Sequence, residues 1–209
     1  MKKLTFNKKS AALVLAGVLL VGGMAGGTLA WLTAETSEVT NVFTSSDINV
    51  TLVEKKNDFK MVPGWTIEKD PKVTVKEGSE DCYLFVKVEE TGVSFIPDEE
   101  TMPKVYSFDD FLSYKIADGW TKLTSEEGVY YKVFDSNDST NTNAMGQEYS
   151  ILLNDEVTVQ ENVTKEMMND LVTYKVNPEL SFTAYAVQLY KSNTEKFSET
   201  EAWAKVNTN

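Results

Sequence analysis

The side chains that could carry chemistry in this chain are carboxylates and a single thiol, because the sequence contains no histidine and one cysteine, Cys82. Without histidine, a Ser-His-Asp triad, a Cys-His pair and a zinc site built on paired histidines are all excluded. Adjacent carboxylates remain as candidates for acid–base work, and they occur at Glu89-Glu90, Asp98-Glu99-Glu100, Asp109-Asp110 and Glu126-Glu127. Neighbouring residues on a strand point to opposite faces, and acidic runs in loops are normally solvated. The sequence therefore predicts a protein that is not an enzyme and has no cofactor.

A second candidate is a nine-residue stretch that begins at Asp135 and contains only Asp, Ser, Asn and Thr. Asp135, Asn137 and Asp138 offer the hard oxygen ligands that calcium prefers. The stretch lacks the turn glycine of an EF-hand, since Thr140 stands there, and Gly146 replaces the closing glutamate. Two interpretations stay open: a weak calcium site, or a mobile surface loop.

The elements that must position these groups are mostly strands. Alternation of apolar and polar residues predicts strands at Asp47–Glu54, Lys72–Lys76, Cys82–Glu89, Leu112–Ala117, Trp120–Leu123, Val129–Phe134, Glu148–Leu153, Glu156–Val159 and Glu179–Tyr190. The last of these is apolar on both faces, which indicates a central strand. Cys82 lies in an apolar run, so we expect a buried, unreactive thiol rather than a reactive one.

Helices are predicted to be short and peripheral. Thr164 is a suitable cap for a helix over Lys165–Val172, and Ser198 with Glu201 forms a capping box before a second helix. Many short strands separated by turns favour an antiparallel β-sandwich. No composition shift marks a second domain, so we expect one domain over residues 31–209.

The N-terminus has the three parts of a secretory signal peptide over residues 1–30. Four lysines among the first nine residues precede the apolar run Ala11–Val21, and a small-residue site follows at Thr28 and Ala30. Cleavage by a signal peptidase after Ala30 would leave Trp31 as the first residue. The sequence therefore predicts a secreted protein of the extracellular matrix or cell surface.

The alternative is a retained membrane anchor, because no charged residue occurs from Ala11 to Ala34. Five glycines in this segment weaken it as a helix, which favours cleavage and no stable membrane anchor afterwards. Cleavage removes four lysines and no acid, so the net charge changes from −12 to −16. Such an acidic surface repels nucleic acid and anionic lipid, and we expect neither as a partner.

Three parts of the chain together resemble a known family. They are Gly26–Thr33 with Asn41–Thr44 and Ile48–Glu54, then Val62–Val73, and finally Leu180–Gln188 with Glu201-Ala202-Trp203. These stretches are similar to the TasA/CalY (camelysin) family of Gram-positive bacteria, whose members are processed by a SipW-type signal peptidase. The resemblance implies a jelly-roll-like β-sandwich and a role in extracellular fibres or biofilm matrix. Residues 91–143 diverge from it, and the absence of histidine does not support the metalloprotease label that camelysin-type proteins have carried.

Cleavage would free an N-terminal arm, residues 31–46. The arm contains the apolar residues Val39, Val42 and Phe43 and is charged only at Glu35 and Glu38. Such a segment can pair with an open sheet edge of another subunit, a copy of this chain or a related matrix protein. The alternative is that it forms an edge strand of its own sandwich.

Two classes of function follow from the sequence. The first is a secreted structural protein that assembles by β-strand pairing between subunits. The second is a monomeric secreted or cell-surface binding module for a glycan, a protein or calcium. Trp65, Trp120 and Trp203 are expected to lie in the core or to cover sheet edges rather than to form sugar platforms.

Overall fold

The computed structural model describes residues 33–36, 48–55, 59–97 and 102–206. The predicted cleavage residues Thr28, Ala30 and Trp31 and the arm residues Val39, Val42 and Phe43 lie outside these ranges. Strands account for 41% of the chain and helices for 14%, and the sheets are antiparallel, which confirms the prediction of a mainly β, antiparallel fold. The jelly-roll detail stays a prediction.

Thirteen strands, one 3₁₀ turn and two helices make up the described part of the chain. In chain order they are β1 (Thr33–Thr36), β2 (Val50–Val53), β3 (Thr66–Glu68), β4 (Lys72–Val75), β5 (Cys82–Thr91), β6 (Val93–Phe95), β7 (Lys104–Tyr106), the 3₁₀ turn (Phe108–Asp110), β8 (Leu112–Ile116), β9 (Thr121–Lys122), β10 (Val129–Phe134), β11 (Glu148–Ser150), β12 (Leu152–Val159), α1 (Lys165–Tyr174), β13 (Glu179–Gln188) and α2 (Glu199–Val206).

The first layer is a five-stranded sheet in the order β1-β13-β5-β10-β9. β13 pairs with β5 along its whole length, from Glu179 opposite Thr91 to Gln188 opposite Cys82. β13 is an interior strand, which confirms the expectation drawn from its two apolar faces. The predicted strands over Trp120–Leu123 and Val129–Phe134 contain β9 and β10, which pair as a hairpin with Thr121 opposite Tyr131.

The second layer consists of two three-stranded sheets, β11-β4-β2 and β3-β12-β8. Short connections join β3 to β4 and β11 to β12, and backbone bonds such as Ile151 N to Pro71 O (3.0 Å) link the two sheets. At the β12 bulge, Asn154 and Asp155 have φ angles of 60° and 56°. These left-handed conformations, unusual for residues other than glycine, shift the register of β12 against β8.

The core lies between the layers. Leu84 and Val86 of β5 belong to the same buried cluster as Val73 and Val75 of β4. Cys82 is also fully buried there, and burial raises the pKa of its thiol. The thiol therefore stays protonated and unreactive at neutral pH, as its apolar surroundings in the sequence predicted.

The two helices pack on different parts of the fold. Both predicted N-terminal caps are confirmed. Thr164 accepts a hydrogen bond from Met167 N at 3.2 Å, and the Glu201 carboxylate accepts one from Ser198 N at 2.8 Å. α1 packs against the two-stranded β6–β7 ribbon, where the Tyr174 ring stacks on Phe95 at 4.2 Å. Neither helix in the described ranges has the length and apolar character needed to cross a membrane.

Candidate functional site

One edge of β13 is only partly covered. On the β5 side every residue of β13 has a partner, but on the other side only Ala184–Val187 pair, with Thr33–Thr36 of β1. In the part of the chain that the structure describes, the backbone edge from Glu179 to Thr183 has no partner strand. An unpaired strand edge is a template for pairing with another chain.

A cleft of about 770 Å³ lies beside this edge, at the open end between the two layers. Side chains of both layers line it, with Leu52 and Ile67 on one wall and Leu180 and Phe182 on the other. Apolar side chains share these walls with polar groups such as Glu54 and Lys69, so the cleft can take both the side chains and the main chain of an added strand.

The side chain of Lys69 brings a positive charge into this cleft. Its ammonium group pairs with the Glu54 carboxylate and lies 5.2 Å from the ring centre of Phe59 and 5.4 Å from that of Phe182. The side chain is 11% exposed, so the charge is held by the carboxylate and by two aromatic faces rather than by water. The sequence analysis missed Lys69, since nothing local to a Glu-Lys-Asp run indicates an aromatic surrounding.

The carboxylates proposed as calcium ligands form ion pairs and hydrogen bonds with other groups of the protein. The Asp135 carboxylate, 2% exposed, pairs with Lys196 and accepts hydrogen bonds from Asn137 N (3.0 Å) and the Tyr190 hydroxyl (3.1 Å). The Asp138 carboxylate accepts hydrogen bonds from the Thr140 amide and hydroxyl. Among the described residues, no three or more acidic or cysteine side chains converge as a metal site requires.

These bonds also fix the polar stretch to the body of the protein. Asp81 accepts hydrogen bonds from Ser136 N and Oγ, both at 2.9 Å, and Val133 O accepts one from the Asn143 amide at 2.8 Å. The stretch is thus attached to the rest of the protein by polar contacts although it has no apolar residue, and the mobile surface loop stays a prediction.

Acidification should weaken the Asp135 contribution to stability. Burial alone would raise the pKa of Asp135, but the hydrogen bonds from Lys196, Asn137 and Tyr190 outweigh it and lower the pKa below 3.8. The stabilisation is therefore complete above that value and is lost as pH falls through the folded-state pKa. We expect Asp135→Asn to lower the free energy of unfolding at pH 7 and to differ little from the parent near pH 2.

Urea denaturation at both pH values measures this difference. Glu127→Gln, at a carboxylate that is 95% exposed, is the control and should change stability little at either pH. An Asp135→Asn deficit of the same size at both pH values would contradict the assignment.

A buried lysine is a further feature that the sequence analysis missed. Lys132 of β10 is 7% exposed and points into the core on the same face as Phe134. Its ammonium group donates to Gly119 O at 2.7 Å and lies 5.1 Å and 4.9 Å from the ring centres of Trp120 and Tyr149. Burial lowers its pKa, and within the described ranges no carboxylate pairs with it. In the sequence, the alternation along β10 places Lys132 on the same face as Phe134, and this pattern was the available signal for its burial.

Each carboxylate pair within the described ranges has at least one member with a partner in the fold, including Glu127, which pairs with Lys122 at 3.3 Å. Glu89 pairs with Lys87 at 2.7 Å, Glu90 accepts a hydrogen bond from the Tyr114 hydroxyl, and Asp110 caps the 3₁₀ turn through Ser107. Residues 98–100 lie outside the described ranges.

The tryptophans divide into two groups. Trp203 is buried, and half-buried Trp120 donates its indole N–H to Ser150 O at 2.9 Å, as expected for core or edge positions. Trp65 is 65% exposed and does not lie in the core. It follows the Pro63-Gly64 turn, and its carbonyl accepts a hydrogen bond from Val159 N at 2.8 Å, which keeps its backbone beside β12.

The described part of the predicted arm is β1, which pairs with β13 of its own chain. For Thr33–Thr36 this corresponds to the edge-strand alternative, whereas the remaining arm residues lie outside the described ranges. No protein-family model, curated protein or solved structure matches this chain.

Proposed function

We propose that this chain is a secreted structural protein of extracellular fibres or biofilm matrix, in which the N-terminal strand of one subunit pairs with the sheet edge of the next. The observation that carries the proposal is the edge of Glu179–Thr183, which has no partner strand among the described residues and lies in line with β1, beside a cleft with apolar side chains on both walls. The TasA/CalY resemblance and the predicted signal peptide support export to the site of assembly.

The proposed step is an exchange of β1. Among the described residues, its four residues pair with Ala184–Val187, and β1 comes first after the predicted cleavage site. A neighbouring subunit's β1 can make the same four pairs, and its arm can continue along Glu179–Thr183. Main-chain hydrogen bonds then supply affinity, while Val39, Val42 and Phe43 bring apolar area to the cleft. Because donor and acceptor are different surfaces, the contact is head-to-tail and produces fibres.

Removal of the arm is the direct test. A secreted chain that lacks Trp31–Ser46 should form no fibres in electron micrographs, whereas removal of Asn207–Asn209 should leave fibre formation intact. Both variants should be secreted and folded by circular dichroism. Fibres of normal number and length from the arm-deleted chain would refute the assembly mechanism.

A monomeric binding module is the second candidate, and the exposed indole of Trp65 favours it. Exposed aromatic rings offer apolar faces on which sugars pack. If this function holds, soluble cell-wall polysaccharide should shift the tryptophan fluorescence of the parent saturably and leave that of Trp65→Ala unchanged, with the protein remaining monomeric at high concentration.

A further inference from the structure

α2 lies across the outer face of the five-stranded sheet, against β5, β13 and β1. The Trp203 ring is the main anchor, with its centre 5.3 Å from that of Phe85 and 5.5 Å from that of Tyr185. Phe85 and Tyr185 are opposite each other on β5 and β13. One short helix therefore contacts both central strands and the edge strand that the proposed assembly must release.

The apolar contact between α2 and the sheet leaves a buried polar group, the indole N–H of Trp203, unsatisfied within the described part of the chain. Trp203 is 5% exposed, but its indole N–H has no hydrogen-bond acceptor among the described residues. A buried donor without an acceptor loses its hydration and gains nothing in return. An eight-residue helix also has little stability of its own, so α2 depends on this docking.

The polar part of the attachment is exposed to solvent. Glu201 Oε1 accepts a hydrogen bond from Lys191 Nζ at 2.8 Å, and its other oxygen accepts from Ser198. The Glu201 side chain is 51% exposed, and ion pairs at such positions contribute little. The helix can therefore open locally while the sheet below stays folded.

We propose that α2 is a latch that holds β1 at the sheet edge, and that opening of α2 is the step that frees β1 for pairing with another subunit. This inference rests on the proposed function for its biological meaning, although the coupling between α2 and β1 can be measured in the monomer. In the described part of the chain β1 is a four-residue strand that pairs on one side, with β13, and such a strand is marginal once its covering element leaves.

Hydrogen exchange of the secreted chain, read by mass spectrometry under native conditions, tests the latch. Trp203→Ala should raise the exchange rates of both α2 and β1 by about tenfold or more, while peptides from β5 and β10 keep the parent rates. Trp65→Ala, which removes an exposed indole, is the matched control and should change neither. Faster exchange in α2 with β1 at its parent rate would overturn the proposal.

Glu201→Gln provides a second, milder variant in case Trp203→Ala does not fold. It removes the ion pair with Lys191, weakens the cap on Ser198 and keeps the indole in place, so α2 and β1 should exchange faster together, by a smaller factor than in Trp203→Ala. Loss of β1 protection without any change in α2 would also overturn the latch.

Assembly kinetics, followed by light scattering, separate the latch from the proposed function. Latch variants should shorten the lag before fibre growth by about threefold or more, as expected when an opening step limits assembly. Coupled exchange without fibres from any variant supports the latch and contradicts the proposed function. Fibre growth at the parent rate from a variant with an opened α2 contradicts the latch and leaves the proposed function standing.

Discussion

Leu180→Lys should raise the protein concentration needed for fibre formation while the monomer still folds. Leu180 is half-buried on β13, faces the core side of the strand and lines the cleft beside the uncovered edge. Lysine there would place a second ammonium group in the cleft that holds Lys69, in place of an apolar side chain that an arriving strand would cover. We expect the concentration needed for assembly to rise at least about tenfold, which corresponds to about 1.4 kcal/mol of binding free energy.

Val105→Lys is the matched control for this variant. It makes the same change of charge at a residue of β7 that is 67% exposed, so electrostatic repulsion between subunits changes equally. The critical concentration, measured by sedimentation of polymer, should rise only for Leu180→Lys. An equal rise in both variants would assign the effect to net charge and contradict the cleft as the acceptor.

Phe85→Ala should cause the largest loss of stability. Phe85 is 0% exposed, and its ring lies about 5 to 6 Å from those of Tyr83, Tyr131 and Trp203. Truncation of a fully buried phenylalanine removes apolar burial and leaves a cavity, at a cost of about 3–5 kcal/mol. Chemical denaturation should give this decrease in the free energy of unfolding, with a change within about 0.5 kcal/mol for Trp65→Ala.

Phe85→Ala also tests whether α2 covers the outer face of the five-stranded sheet. If the outer face were open to water, truncation of Phe85 would cost little, because its ring would already be hydrated. A loss below about 1 kcal/mol would therefore contradict the packing of α2 on this face.

The parts of the fold that the sequence predicts well are those with long, regular patterns. β5, β10 and β13 have six to ten residues of alternation or of continuous apolar character, and the hairpin between β9 and β10 has a glycine in its turn. The helix caps are equally local, since Thr164 and the Ser198–Glu201 box act over three residues. Local chemistry determines these elements, so sequence patterns are sufficient to find them.

The parts that were not predicted depend on length or on distant residues. β3, β6 and β7 have three residues each, too few for alternation to be recognised. Asp135 pairs with Lys196 at a sequence separation of 61 residues, and β1 pairs with β13 at a separation of about 150 residues. No local sequence signal indicates either pairing. Among the described residues, the uncovered part of β13 follows from its register with β1, which becomes visible only when the two strands are paired.

Disulfide trapping between two variants tests the central claim, strand exchange between subunits, most directly. Thr36 and Ala184 are direct partners in the β1–β13 register, where the distance between Cα atoms suits a disulfide, and the native Cys82 is buried. Thr36→Cys and Ala184→Cys chains are to be mixed, assembled, oxidised and separated without reductant. Strand exchange between subunits predicts covalent dimers that contain one chain of each variant. Fibres that yield no mixed dimers would contradict it.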